Sequence, residues 1–314
     1  MATDYILFIH GVSTRDQRES PEYAKDLIKG IKSKSLDFVD IPLYWGDVNE
    51  AAETQLLNRL KASPLWDEMW FRNFREQQLL QFVGDAALYI SRHVGYKIVK
   101  RLKTDAIQVL QRAQPEDSLH LITHSWGTVI LFDILFATRW DDPKVPGHED
   151  VMQIRDCIFG LSGEDDTTHQ GIQLASIHTM GSPIAIFSLT SVNSDSNQPD
   201  SDSSSHDITS RLQKLLENLY QVREGKKLPW RNFIHPGDPI AYPLKKLMND
   251  LVDNDGKYID FKDLITREPN LFDSVKEPIN QSTFALLQGG KAHGSYWQSQ
   301  QVIQEISGIL KNNA

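Results

Sequence analysis

Residues 5–10, YILFIH, form a continuous apolar run that stops at Gly11. A short apolar run bounded by a turn residue reads as a strand buried on both faces, as in parallel sheets. Tyr23, Leu27, Ile28 and Ile31 then recur at helical spacing within 22–34, which is the apolar stripe of an amphipathic helix. A second strand is predicted over 38–44, FVDIPLY. Strand, helix, strand is the repeating unit of a parallel sheet. Further strands are predicted over 118–124, 172–180 and 230–235, with helices over 127–139 and 296–311.

Between the second and third strands, residues 47–112 read as a mostly helical insertion or cap, broken at Pro64. Phe82, Ala86, Leu88, Tyr89, Val94, Ile98, Val99 and Leu102 supply apolar positions for one or two amphipathic helices. The segment 65–74, LWDEMWFRNF, holds two Trp and two Phe, which either pack the helices onto the sheet or cover an apolar pocket. Residues 191–207, SVNSDSNQPDSDSSSHD, have almost nothing to bury, and burial is what offsets the entropy of ordering. They read as a flexible surface loop or flap inside one domain spanning 1–314, because strands are predicted on both sides.

Composition narrows the function classes. The chain has 314 residues, 40% of them hydrophobic, enough for a core that needs neither disulfide nor metal. A net charge of −9 argues against nucleic acid as a partner and against electrostatic docking on an anionic membrane. Cys157 is the single cysteine. The opening MATDYILFIHGV has no basic segment followed by a long apolar core, and no run of 18 apolar residues occurs. The expectation is a cytoplasmic protein without signal peptide or transmembrane helix.

The chemistry centres on Thr123-His124-Ser125-Trp126-Gly127, where an apolar strand gives way to a helix. A serine on such a turn projects its hydroxyl at the strand's C-terminal end, with aligned helix amides behind it. The usual elbow is G-x-S-x-G, and Thr123 stands where its first Gly would be. Phe8-Ile9-His10-Gly11-Val12 also ends a strand, and Gly11 lets the backbone approach a substrate closely. The N–H groups of Val12 and Trp126 are the candidate oxyanion donors, and His10 braces the loop beside the pocket.

A serine hydroxyl needs a base, and the base needs an orienting acid. His293 lies in Ala292-His293-Gly294-Ser295-Tyr296-Trp297, late in the chain and just before the final helix. His235 is the reserve candidate; His120, His124 and His178 read as packed histidines. Asp238, in a Pro-Gly turn directly after a strand, is the candidate acid. Ser182, in Met180-Gly181-Ser182-Pro183, lacks a following Gly and helix, so Ser182 and Pro183 read as pocket lining. Asp253-Asn254-Asp255-Gly256 imitates part of a calcium loop, but that frame puts Leu251 first and Lys262 twelfth, which is wrong for calcium. No metal or cofactor is expected.

Five segments together resemble bacterial α/β-hydrolases of the lipase and esterase kind: FIHGV at 8–12, THSWGTVI at 123–130, HTMGSPIAIF at 178–187, NFIHPGDPIAYPL at 232–244 and AHGSYW at 292–297. FVGDAALYI at 82–90 resembles a helix that these proteins place ahead of the nucleophile strand. The resemblance implies a mostly parallel sheet flanked by helices, in which the predicted strands are the third to seventh of the usual eight. It implies Ser125 as nucleophile, Asp238 as acid, His293 as base, and Val12 with Trp126 around the oxyanion. It implies cofactor-free cleavage of a small acyl ester or lipid-like substrate. An acyltransferase, thioesterase or amidase would use the same residues, and a non-catalytic binding module could keep the fold.

Overall fold

A computed structural model describes residues 2–12, 14, 21–48, 50–69, 72, 76, 92–162, 171–187, 207–266 and 291–313. The chain begins with β1 (Asp4–Ile9), α1 (Lys25–Lys32), β2 (Val39–Leu43) and α2 (Glu50–Lys61). There follow α3 (Arg92–Leu110), β3 (Ser118–His124), α4 (Trp126–Phe136), α5 (His148–Asp156) and β4 (Gln173–Met180). The rest comprises a single turn α6 (Ile184–Phe187), α7 (Thr209–Val222), β5 (Leu228–Ile234), α8 (Lys245–Leu251), β6 (Ile259–Ile265) and α9 (Gln300–Asn313). The predicted segments 82–90 and 191–206 lie outside the described residues.

The six strands form one sheet in the order β2-β1-β3-β4-β5-β6, every neighbouring pair parallel. Alternate residues of each strand serve opposite faces. Tyr5, Leu7 and Ile9 join Leu119 and Leu121 in a core with α3, α4, α5 and α7, while Ile6, Phe8 and Ile122 join a second core with α1 and α9. Both faces are therefore covered, which is why these strands read as unbroken apolar runs. Chain order runs outward from β1 to β2 on one side and from β3 to β6 on the other. Such a reversal opens a crevice at the carboxyl ends of the two central strands, and ligands of open α/β sheets bind there.

Within 47–112, α3 lies on the sheet. Its residues Ile98, Val99, Leu102, Ala106 and Leu110 are buried in the first core. Every residue of α4, WGTVILFDILF, is buried, as expected of a helix apolar on all sides. Its C-terminal carbonyls are satisfied by a buried guanidinium. Arg155 donates to Ile134 O (2.9 Å) and Ala137 O (2.7 Å) and to Asp141 Oδ1 (2.9 Å). Burial pulls the Arg155 pKa down to about 10, with Arg211 adding to the effect, and Asp141 opposes the shift.

β6 is a strand that the apolar pattern along the chain does not predict. It is an edge strand with mixed burial, IDFKDLI. The Asp253 turn that imitates a calcium loop starts it. Asp253 accepts hydrogen bonds from the N–H groups of Lys257, Tyr258 and Ile259.

Replacing Arg155 by Met should lower unfolding free energy by about 2–3 kcal/mol, because two buried carbonyls lose a charged donor. Denaturant titration checks this; an unchanged midpoint would show that water replaces the guanidinium without cost.

Candidate active site

β3 ends at His124 and α4 begins at Trp126, so Ser125 alone makes the turn. Its backbone sits at φ 55°, ψ −133°. A non-glycine residue held there stores roughly 1–3 kcal/mol of strain, and such residues cluster at functional sites. Ser125 N–H donates to Met180 O at 2.9 Å, tying the turn to the end of β4. The residue is fully buried, and its Oγ has no hydrogen-bond partner among the described residues.

The turn works because its neighbours come close. A Cβ on Gly127 would collide with the carbonyl of His10, so only glycine lets α4 approach the loop after β1. Thr123 fits where the usual motif has glycine, because its Oγ1 lies 2.8 Å from Thr128 Oγ1 on the first turn of α4. Gly11 presses on the serine itself: an added Cβ would overlap Ser125 Cβ and stand 2.8 Å from Ser125 Oγ. Of the two sequence-predicted oxyanion donors, Trp126 follows Ser125 directly in the chain, and Val12 follows Gly11, the residue packed against Ser125.

His10 is fully buried and fixes the loop. Its ring stacks on Trp45 at 5.2 Å and accepts the Trp45 N–H at Nε2 (3.2 Å), while Trp45 Nε1–H donates to His10 O (3.0 Å). Tyr23 packs edge-on against the ring at 4.9 Å, and its hydroxyl donates to Phe8 O and Leu43 O, both at 2.9 Å, across the ends of β1 and β2. Ser182 is buried and accepts the Ile184 N–H at 3.3 Å, so its hydroxyl starts α6; Pro183 beside it is buried too.

Asp238 follows β5 and meets His293 from the far end of the chain. His293 Nδ1–H donates to Asp238 Oδ2 at 2.8 Å. Tyr296, which the sequence reading did not single out, donates its hydroxyl to the same oxygen at 2.8 Å and accepts the His235 N–H at 2.8 Å. Ile240 N–H donates to Asp238 Oδ1 at 3.1 Å. Burial pushes the Asp238 carboxyl up, but the hydrogen bonds and charge of His293, with Tyr296 and Ile240, hold it below the ordinary aspartate range. Burial beside Asp238 raises the Tyr296 hydroxyl far above its ordinary value, so it stays a donor.

The acid loop rests on a polar ladder across the strand ends. Thr179 Oγ1 donates to Asn232 Oδ1 (2.8 Å), and Asn232 Nδ2 donates to Asp263 Oδ1 (2.7 Å) and Tyr242 O (2.9 Å). Asp263 also accepts the N–H groups of Leu244 and Lys245, both at 3.0 Å.

His124 joins the two halves of the site. Its Nε2–H donates to His293 O at 2.7 Å, and the two rings stand 4.6 Å apart. Burial, with a lesser effect of His293, lowers its pKa to about 3. Among the described residues, three buried polar atoms of Ser125, His124 and His293 have no partner: Ser125 Oγ, His124 Nδ1 and His293 Nε2. Among the described residues, no group of three or more His, Cys, Asp or Glu is placed to hold a metal, and no helix is long and apolar enough to cross a membrane. No protein-family model matches the chain, and no curated protein matches it.

The buried histidines set an acid limit. Burial also drives the pKa of His178 well below its ordinary 6.5. The unfolded chain therefore takes up protons below pH 6.5 that folded His124 and His178 refuse. Stability should fall as pH drops from 6.5 toward 3, by about 1.4 kcal/mol per pH unit for each group. Denaturant midpoints at pH 7, 5.5 and 4.5 measure the slope, which His178→Phe should reduce by about one proton. A flat profile would contradict it.

Proposed function

We propose that the chain is a serine hydrolase of the α/β-hydrolase kind, cleaving an ester through an acyl-Ser125 intermediate. The observation that carries this reading is a serine on a strained strand-to-helix turn, whose chain neighbour His124 has its ring 4.6 Å from that of a histidine held through Nδ1–H by a buried aspartate. That hydrogen bond puts the proton on Nδ1 and leaves Nε2 as an acceptor, the tautomer a general base needs.

In this reading Ser125 Oγ attacks the acyl carbon while His293 Nε2 takes its proton. The carbonyl π electrons move onto oxygen, and that charge is met by the N–H groups of Val12 and Trp126 at the positive end of α4. Each such donor is worth about 10²–10³ in rate. Collapse of the intermediate breaks the bond to the alcohol oxygen, which leaves with the proton from His293. Water then repeats the sequence on the acyl-enzyme and restores Ser125. Asp238 stays ionised throughout and stabilises the imidazolium. The substrate is a small acyl ester or a lipid-like one, and the scheme uses no cofactor. A single cysteine accords with work in the cytoplasm.

A fluorophosphonate probe tests the reading. Wild type should be labelled at Ser125, and Ser125→Ala should not be labelled although folded. Asp238→Asn should slow ester turnover by about 10³–10⁴, because the base then takes the wrong tautomer. A folded wild-type protein that takes no label would favour a binding module on the same fold.

A further inference from the structure

Of the three unpartnered buried atoms at the site, two are accounted for by the proposed reaction. Ser125 Oγ gives up a proton and His293 Nε2 receives it. His124 Nδ1 has no part in that exchange. Its state is set by geometry: a carbonyl only accepts, so the 2.7 Å contact with His293 O puts the His124 proton on Nε2. Nδ1 is left as an acceptor with no donor among the described residues, on a side chain whose residue is only 6% exposed. An acceptor buried without a donor costs about 1–3 kcal/mol, and each such atom in a native structure asks for a partner.

That nitrogen and the Ser125 hydroxyl both face Gly11. The position that a Cβ on Gly11 would take is 3.4 Å from His124 Nδ1 and 2.8 Å from Ser125 Oγ. The ring also lies 4.6 Å from the His293 ring, the group that hands its proton to the departing alcohol. A donor reaching Nδ1 therefore belongs to the leaving-group half of the substrate. We propose that His124 Nδ1 is a specificity-determining acceptor that receives a hydrogen bond from the leaving group, selecting acyl compounds whose leaving group carries an O–H or N–H beside the scissile bond. Esters of diols and polyols supply it from a neighbouring hydroxyl; amides supply it from the scissile N–H.

The inference rests on the serine hydrolase reading and goes beyond it in naming the leaving group. A substrate that lacks the donor leaves Nδ1 unpaired, which is how sites built around a polar contact reject analogues. The low His124 pKa keeps the ring neutral at working pH, so Nδ1 is available as an acceptor.

The test compares 2-hydroxyethyl butyrate, ethyl butyrate and N-ethylbutyramide on the full chain, wild type and His124→Gln. Gln keeps a donor for His293 O and removes the ring acceptor. Wild type should favour the hydroxyethyl over the ethyl ester in kcat/KM by about tenfold or more. In the variant that ratio should fall toward one, and any general loss of activity cancels from it. Preferential turnover of the amide, lost in the variant, would identify the scissile N–H as the donor. Equal rates on the two esters with no amide turnover in wild type, or a preference that survives in His124→Gln, would overturn the inference; the wild-type comparison decides even where the variant fails to fold. Failure of Ser125 to take a fluorophosphonate label would overturn the hydrolase reading, and this inference with it. Labelling without any substrate preference would overturn this inference alone.

Discussion

Ser125 holds a left-handed backbone at the point where the central strand becomes a helix, and the rest of the site is arranged around that one turn. The turn ends β3 and starts α4 within a single residue, so the hydroxyl, the helix amides and the end of β4 share one small volume. It requires Gly127, because the carbonyl of His10 occupies the place of a Cβ. It requires Gly11 for the same reason on the serine's other side. The strain is retained because its surroundings over-determine it: α4 is buried along its whole length and Arg155 secures its far end.

The second half of the site is built from remote sequence. His293 is 55 residues from Asp238 and 169 from His124, and its side chain bonds to the first while its carbonyl accepts from the second. The segment is thus fixed at two points. Tyr296 adds a third, joining Asp238 to the main chain at His235. Asp238 is almost wholly enclosed, so its charge persists only because three donors satisfy it. The Thr179–Asn232–Asp263 ladder does for the loop what those donors do for the carboxylate.

Much of the framework was legible in the sequence because both faces of the sheet are covered. Strands buried on two sides give continuous apolar runs, and YILFIH and SLHLITH fall within one residue of β1 and on β3. β6 escaped because it lies at the edge, where Asp260, Lys262 and Asp263 interrupt the pattern. Ser125 and Asp238 could be nominated from their places at strand ends, and His293 from its place just before the final helix, since position relative to an element survives in a linear sequence. His124 and Tyr296 could not. Their roles depend on which atom faces which partner across more than 50 residues of chain, and no spacing rule carries that information. Thr123 looked like a departure from the elbow pattern until Thr128 supplied its hydroxyl with a neighbour.

The central claim is that the strained serine becomes acylated. Rapid mixing with a p-nitrophenyl ester, followed by acid quench and mass spectrometry of the peptides, addresses it directly. The account predicts a burst of about one p-nitrophenol per protein chain and an acyl adduct on the peptide carrying Ser125. Turnover with the adduct on another residue, or hydrolysis by a Ser125→Ala protein at the wild-type rate, would contradict it.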